Sequence, residues 1–257
     1  MKSSFLVSLL LLSSNLLFGQ YSRFPVSGIV EYEKTINMYA VIKRRVDLDN
    51  GPFAAQAFES YKKTYPQFKK LRSSLTFNAN KTLFTPAKES EVPVNNFLGQ
   101  NPAAEQNNII YTDLNTSESI TQKSVFEETF LVKDSVRKIN WKITDETREI
   151  AGYACRRANA VIMDSIYVVA FYTDQIPVSG GPESFTGLPG MILGVALPRE
   201  NITWFATIVK DTPVAATAMV APKKGKPADY AGLMSTLQKA MKDWGNYSHA
   251  ILKAFLL

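Results

Sequence analysis

Few side chains in this chain are of kinds that carry chemistry, and their spacing decides what chemistry is open to it. His249 is the only histidine in 257 residues. A zinc or copper site built on imidazole needs two or three, so no metal site is expected. Ser-His-Asp or Cys-His catalysis would have to recruit that one residue, and no G-x-S-x-G elbow positions a serine. Cys155 is the sole cysteine, which rules out an intramolecular disulfide. Arg156 and Arg157 could lower its pKa, but it lies in the strand-like run GYACRRANAV and reads as a buried core thiol. The acidic clusters are Glu127-Glu128 and Asp145, Glu146 and Glu149. Neighbouring residues on a strand point to opposite faces, so Glu127 and Glu128 cannot easily act as an acid/base pair. No catalytic residue and no cofactor is assigned. A hydrolase or isomerase using these carboxylates or Cys155 remains the enzymatic alternative.

The stretch with the most unusual composition is Ile176–Leu193, IPVSGGPESFTGLPGMIL. Seven of the fourteen residues from Pro177 to Gly190 are Gly or Pro, in a chain with 13 of each. Glycine supplies positive φ and close backbone approach, and proline fixes φ near −65°. The run lacks the G-x-x-x-x-G-K-[ST] spacing of a phosphate loop. It reads as a long shaped loop between two buried strands, Val168–Thr173 and Met191–Leu197. Its residues Pro182, Phe185, Gly187, Leu188, Pro189 and Gly190 either plug the core or present a recognition surface. Trp141, Tyr153 and Tyr172 join them as candidate binding residues. With Phe171 and Trp204 they could line one concave apolar face, either a packed core or a cavity for an apolar ligand.

The elements that must position these residues are mostly strands. Alternation from Val26 to Ile42 predicts a long first strand. Asp49-Asn50-Gly51 breaks it, and Pro52 suits a first helical position. Ala54, Phe58, Tyr61 and Tyr65 then predict an amphipathic helix over residues 53–65. Thereafter period-two segments are separated by turn signals: Ser74–Phe77 with Thr82–Phe84, and Asn108–Leu114 with Ser119–Ser124. Val125–Lys133 is read as a hairpin with Arg137–Thr144, followed by Ile150–Met163 and Ile166–Thr173. Beyond the Gly/Pro loop come Met191–Leu197, Ile202–Lys210 and Val214–Val220. Glu89–Glu105, rich in Pro, Asn and Gln, reads as a loop. Tyr230, Leu233, Met234, Leu237, Met241 and Trp244 form a helical stripe, with a second short helix over His249–Leu257. The expected fold is mainly β: an antiparallel curved sheet or half-open barrel of about ten strands with a helical insertion and a C-terminal helix.

Domain organisation follows from the ends. Lys2, the Leu-rich segment Phe5–Phe18 and Gly19-Gln20 have the pattern of a secretory signal peptide over residues 1–20. Residues 21–221 are read as the β domain, and 222–257 as a basic linker and helix packed on it. With no Cys near residue 20, no lipid anchor is expected, and the mature chain is expected to be soluble. The net charge of +6 is scattered through short patches such as Lys43-Arg44-Arg45 and Lys223-Lys224-Lys226. None interleaves with aromatics, so nucleic acid is not an expected partner. Peripheral contact with a membrane or an acidic partner is compatible with this charge.

Trp141–Ala158 (WKITDETREIAGYACRRA) and Ala170–Leu193 (AFYTDQIPVSGGPESFTGLPGMIL) closely resemble the GLPGLI family, exported Bacteroidota proteins of uncharacterised function. Met191 stands where that family usually has Leu, a volume-conserving change. The resemblance implies a periplasmic protein, with outer-membrane association possible, acting beside a TonB-dependent outer-membrane transporter or another envelope protein. It implies a half-barrel fold like that of periplasmic lipoprotein carriers and brings no catalytic residues. The function expected is that of a non-enzymatic binding or accessory protein. The alternative is a periplasmic carrier of lipid or another apolar ligand.

Overall fold

The computed structural model describes residues 24–49, 51–87, 99, 101–105, 108–245 and 247–256. The expected signal peptide and most of the 89–105 loop lie outside them. Among the described residues a single sheet of twelve strands dominates, β1 to β12. These are β1 (Gly28–Asn37), β2 (Phe68–Asn78), β3 (Lys81–Pro86), β4 (Ile109–Asp113), β5 (Glu118–Val125) and β6 (Glu128–Ser135). They continue as β7 (Lys142–Ile150), β8 (Tyr153–Ile162), β9 (Ile166–Thr173), β10 (Met191–Leu197), β11 (Ile202–Lys210) and β12 (Lys226–Ala228). The order across the sheet is 12-6-5-4-3-2-1-11-10-9-8-7, antiparallel except for the β12–β6 edge pair.

That order forces the sheet to roll. Strands β6 and β7 are ten places apart, which in a flat sheet is about 48 Å. The chain from Ser135 to Lys142 reaches at most about 25 Å. The two ends of the sheet therefore approach each other without hydrogen-bonding into a barrel. The mainly β, curved, unclosed architecture is the one expected. The expected hairpin of Val125–Lys133 with Arg137–Thr144 is not formed: β6 and β7 are not paired, and the turn signal at Asp134-Ser135 instead begins a crossing between the two ends.

Among the described residues four α-helices accompany the sheet: α1 (Met38–Asp49), α2 (Pro52–Thr64), α3 (Tyr230–Ala240) and α4 (Tyr247–Leu256). The first strand stops at Asn37, five residues short of the expectation. Asn37 Oδ1 accepts from Ala40 N at 3.2 Å, a side-chain cap that starts α1 there. Met38 and Ile42, four apart, are both buried, so the apparent strand alternation hid a helical face. The insertion is thus two helices, with Pro52 opening the second as its type suggests. The expected strand Ile150–Met163 is split by a turn at Ala151 (φ 50°) and Gly152 (φ 82°), the geometry of a tight two-residue hairpin. Val214–Val220 is no strand. The edge position goes instead to β12, where Gly225 passes so close to Phe130 that a Cβ would sit 2.6 Å from its carbonyl carbon. Pro227 is tolerated there because β12 is an edge.

Packing follows the alternation of each strand. On β1 the even-numbered residues Val30, Tyr32, Lys34 and Ile36 are all buried. One apolar cluster joins Ile36, Trp204, Phe185 and Leu188 to α1 and α2 through Ile42 and Tyr61. A second gathers Val30, Tyr32, Phe77, Phe84 and Cys155. In the third, Leu233, Leu237, Ile251 and Phe255 of α3 and α4 cover Val125, Phe130 and Val132 of β5 and β6. At roughly 1.5–3 kcal/mol per fully buried large apolar side chain, these contacts are what hold the last two helices on the sheet.

Candidate functional site

The Gly/Pro loop lies between β9 and β10 and folds into the molecule. Met191 N donates to Ile176 O (3.0 Å) and Ile192 N to Gly180 O (2.8 Å), so its two ends are stitched together. Thr186 Oγ1 donates to Ser179 O (2.7 Å), and Gly187 N donates to Ser179 Oγ (3.0 Å). Gly190 turns hard against β9: a Cβ there would lie 2.1 Å from Thr173 O. Gly187, at φ 94°, takes a backbone conformation that costs other residues strain.

Phe185 and Leu188 are 1% and 2% exposed, so both are core residues rather than an outward surface. Phe185 meets Trp204 edge-on, with ring centroids 6.0 Å apart. Trp141 Nε1 donates to Thr186 O (2.9 Å), and Gly187 lies beside the same indole. Pro182 and Gly190 are buried, whereas Gly187 and Pro189, on either side of buried Leu188, are exposed. The idea of one concave aromatic face does not hold. Tyr172, Phe185, Trp204 and Trp141 share the first cluster, but Tyr153 and Phe171 belong to the second. Phe171 and Tyr172 are neighbours on a strand and must point to opposite faces.

Beneath the loop lies a group of charged side chains that pattern reasoning passed over. Lys34 occupies an inward position of β1, and its Nζ donates to Glu105 O at 3.1 Å. Lys123, inward on β5, donates to the carbonyl of Phe255 in α4. Glu183, in the Gly/Pro loop at φ 50°, accepts from Asn108 Nδ2 at 2.9 Å. All three are buried. They line a void of about 20 Å³ with Trp204 and Phe185, large enough for one water molecule. The indole Nε1 of Trp204 has no hydrogen-bond partner among the described residues. Burial lowers the Lys34 ammonium pKa, while Glu183 pulls it back up. Lys123 is brought down to about 8, chiefly by burial, with Arg137 and Lys34 adding repulsion and Glu183 opposing. The signal that could have found Lys34 was present: it interrupts the inward run Val30, Tyr32, Ile36.

The approach of the two sheet ends leaves a second, larger space. A cleft of about 540 Å³ opens between Thr121 and Val132 of β5 and β6 and Val161 and Met163 at the end of β8. Arg137 and Lys138 of the β6–β7 crossing and Tyr230 of α3 also line it. Its volume is in the range of small-molecule sites, and its walls mix apolar side chains with hydroxyls and cations. Val161, 59% exposed, stands at its mouth. Arg137 NH2 donates to Leu256 O (2.5 Å), its guanidinium lies 5.9 Å from the Tyr230 ring, and its NH1 is buried without a hydrogen-bond partner among the described residues.

Cys155, Glu127 and Glu128 line neither space. Cys155 is fully buried, and burial pushes its thiol up to about 12, so it is not a thiolate at neutral pH. Glu127 lies in the β5–β6 turn and Glu128 opens β6, both exposed. Helix α4 contains His249. Among the described residues, no group of three or more His, Cys, Asp and Glu side chains is placed to hold a metal ion.

Residues 160–194 match a family model described as a protein of unknown function, Porph_ging. The matched segment is the end of β8, β9, the Gly/Pro loop and the start of β10. No curated protein matches the chain. Among solved structures, PNGF-II in a P21 crystal form is similar at 17% identity and a TM-score of 0.51, covering 83% of this chain and 34% of that one. The C2 form of PNGF-II gives a TM-score of 0.48 at 16% identity, over 89% of this chain and 33% of that one. An uncharacterised conserved protein from Thermus thermophilus gives 0.38 at 6% identity, over 79% of this chain and 91% of that one. The chain spans about a third of the length of the PNGF-II chains, and the likeness to the P21 form is one of fold.

Proposed function

We propose that this protein is a non-enzymatic binding and accessory protein of the bacterial cell envelope that holds a small ligand in the cleft between the two ends of its rolled sheet. The observation that carries this reading is the cleft: about 540 Å³, walled by strands from both sheet ends. Ligand sites favour such places because strands fix their lining residues while the unpaired seam leaves room. The Gly/Pro loop has a supporting role here. By burying Phe185 and Leu188 it keeps β9 and β10 in place, and its Ser184 reaches the cleft wall. The envelope location rests on the signal-peptide pattern of residues 1–20. Membership of the GLPGLI family and work beside an outer-membrane transporter are part of the same proposal and rest on the GLPGMIL string.

Native mass spectrometry of the full chain, purified from the envelope of its own host, tests it against a Val161→Trp variant that fills the cleft mouth. A small molecule retained by the wild type and lost from the variant supports the reading. A wild type that carries nothing and captures no small molecule from envelope extract overturns it.

A further inference from the structure

Resting on the cleft reading above, we infer that the ligand carries an anionic group, a carboxylate or phosphate, which binds the Arg137 guanidinium in exchange for the main-chain carbonyl of Leu256. Among the described residues the buried charged side chains are Lys34, Lys123 and Glu183; half-buried Arg137 adds a third cation, and the exposed carboxylate of Glu105 also acts on Lys34. What these cations hold is mostly neutral backbone: Glu105 O for Lys34, Phe255 O for Lys123 and Leu256 O for Arg137. Two of the three carbonyls come from the last turns of α4. A helix C-terminus carries partial negative charge, so it stands in for an anion at modest strength. A full carboxylate or phosphate oxygen accepts charge-assisted hydrogen bonds about twice as strong as neutral ones, and it suits the planar fork of arginine.

Arg137 is the group that connects the cleft to this cluster. It lines the cleft, its NH2 is engaged by α4, and its NH1 is buried with no partner among the described residues. An unmade hydrogen bond on a buried guanidinium nitrogen is costly, and an entering anion would satisfy it. Lys138, exposed beside it, adds a second cation to the same wall. The carboxylate of Asp134 lines the same cleft and offsets one of these two charges, leaving the wall with one positive charge in excess. It accepts from Tyr230 N (3.0 Å) and Ser135 N (2.7 Å). Because the anion takes the place of the Leu256 carbonyl, binding should loosen the end of α4.

Calorimetric titration of the full chain with octanoate, octyl glucoside and inorganic phosphate tests this, with hydrogen exchange of the α4 amides as a second readout. Octanoate should bind at least tenfold more tightly than octyl glucoside and speed exchange in α4. Arg137→Met should abolish the preference, and Arg137→Lys should keep part of it. Competition by phosphate would assign the site to a free anion or headgroup. Octanoate binding that phosphate leaves unchanged would assign it to an anionic amphiphile. Equal affinity for octanoate and octyl glucoside, or a preference that survives in Arg137→Met, overturns the inference. In that case, loss of octyl glucoside binding in Val161→Trp leaves the cleft reading standing. If no probe binds and Val161→Trp changes nothing, both fall together.

Discussion

Lys34 and Trp204 stand opposite each other across the β1–β11 ladder, with the Lys34 ammonium 5.1 Å from the indole centroid. Antiparallel partners have their Cβ atoms about 5 Å apart, so a long cation on one strand naturally lies over an aromatic ring on the next. The pair ties the buried charges to the aromatic contact made by Phe185. A cluster of buried cations depends on the carboxylate placed among them.

Glu183 is the sole buried carboxylate near these cations among the described residues. Glu183→Gln should lower stability by about 1.5–2 kcal/mol, because it removes the buried charge that opposes Lys34 and Lys123 and weakens the hydrogen bond from Asn108. Lys34→Met should cost less than about 1 kcal/mol, since it removes a desolvated charge and relieves repulsion with Lys123. Urea unfolding of the two variants checks the order. A Lys34→Met variant that is the weaker of the two would contradict it.

The response to pH has a definite sign. Lys123 has a folded pKa of about 8, below the unfolded value near 10.5, so the unfolded state binds more protons between them. Stability therefore rises as pH increases through 8, by on the order of 1 kcal/mol up to about pH 9. Lys34, also lowered, contributes in the same direction. The Cys155 thiol, raised to about 12, has the opposite effect above about pH 9, because the unfolded thiol loses its proton first. Chemical denaturation from about pH 7 to 10 should thus show a maximum near pH 9. Lys123→Met should flatten the rise, and Cys155→Ala should soften the fall.

Two glycines of the loop should respond unequally to alanine. At Gly190 the new Cβ would meet backbone at 2.1 Å, and backbone cannot move aside as a side-chain tip can. At Gly187 the nearest atom is the Trp141 Nε1 at 3.5 Å, so only the positive φ is costly. Gly190→Ala should destabilise by more than about 3 kcal/mol and Gly187→Ala by about 1–2 kcal/mol. Thermal unfolding decides it, and equal shifts would mean the loop relaxes freely.

Cys155 should resist alkylation. Fully buried and held as a thiol, it should remain unlabelled by iodoacetamide near neutral pH for hours and react at once in denaturant. Fast labelling of the native protein would show that the β8 region opens.

Much of this architecture was written in local patterns. Period-two alternation and turn residues marked the β2–β3 and β4–β5 hairpins, and the Leu233, Leu237 and Met241 spacing marked α3. Composition located the Gly/Pro loop, because tight backbone approach at Gly190 demands glycine. Where two local patterns overlapped, as from Met38 to Ile42, the capping hydrogen bond of Asn37 settled the element, and alternation misled. What the chain order could not reveal is which strands meet. Arg137 and Val161 lie on segments that share no hydrogen-bonded ladder. They line one cleft because a short crossing from β6 to β7 obliges a twelve-stranded sheet to curl end toward end. The buried charges arise in the same way. Lys34, Lys123 and Glu183 sit in three unrelated local contexts, and only the rolled sheet brings them together under α4.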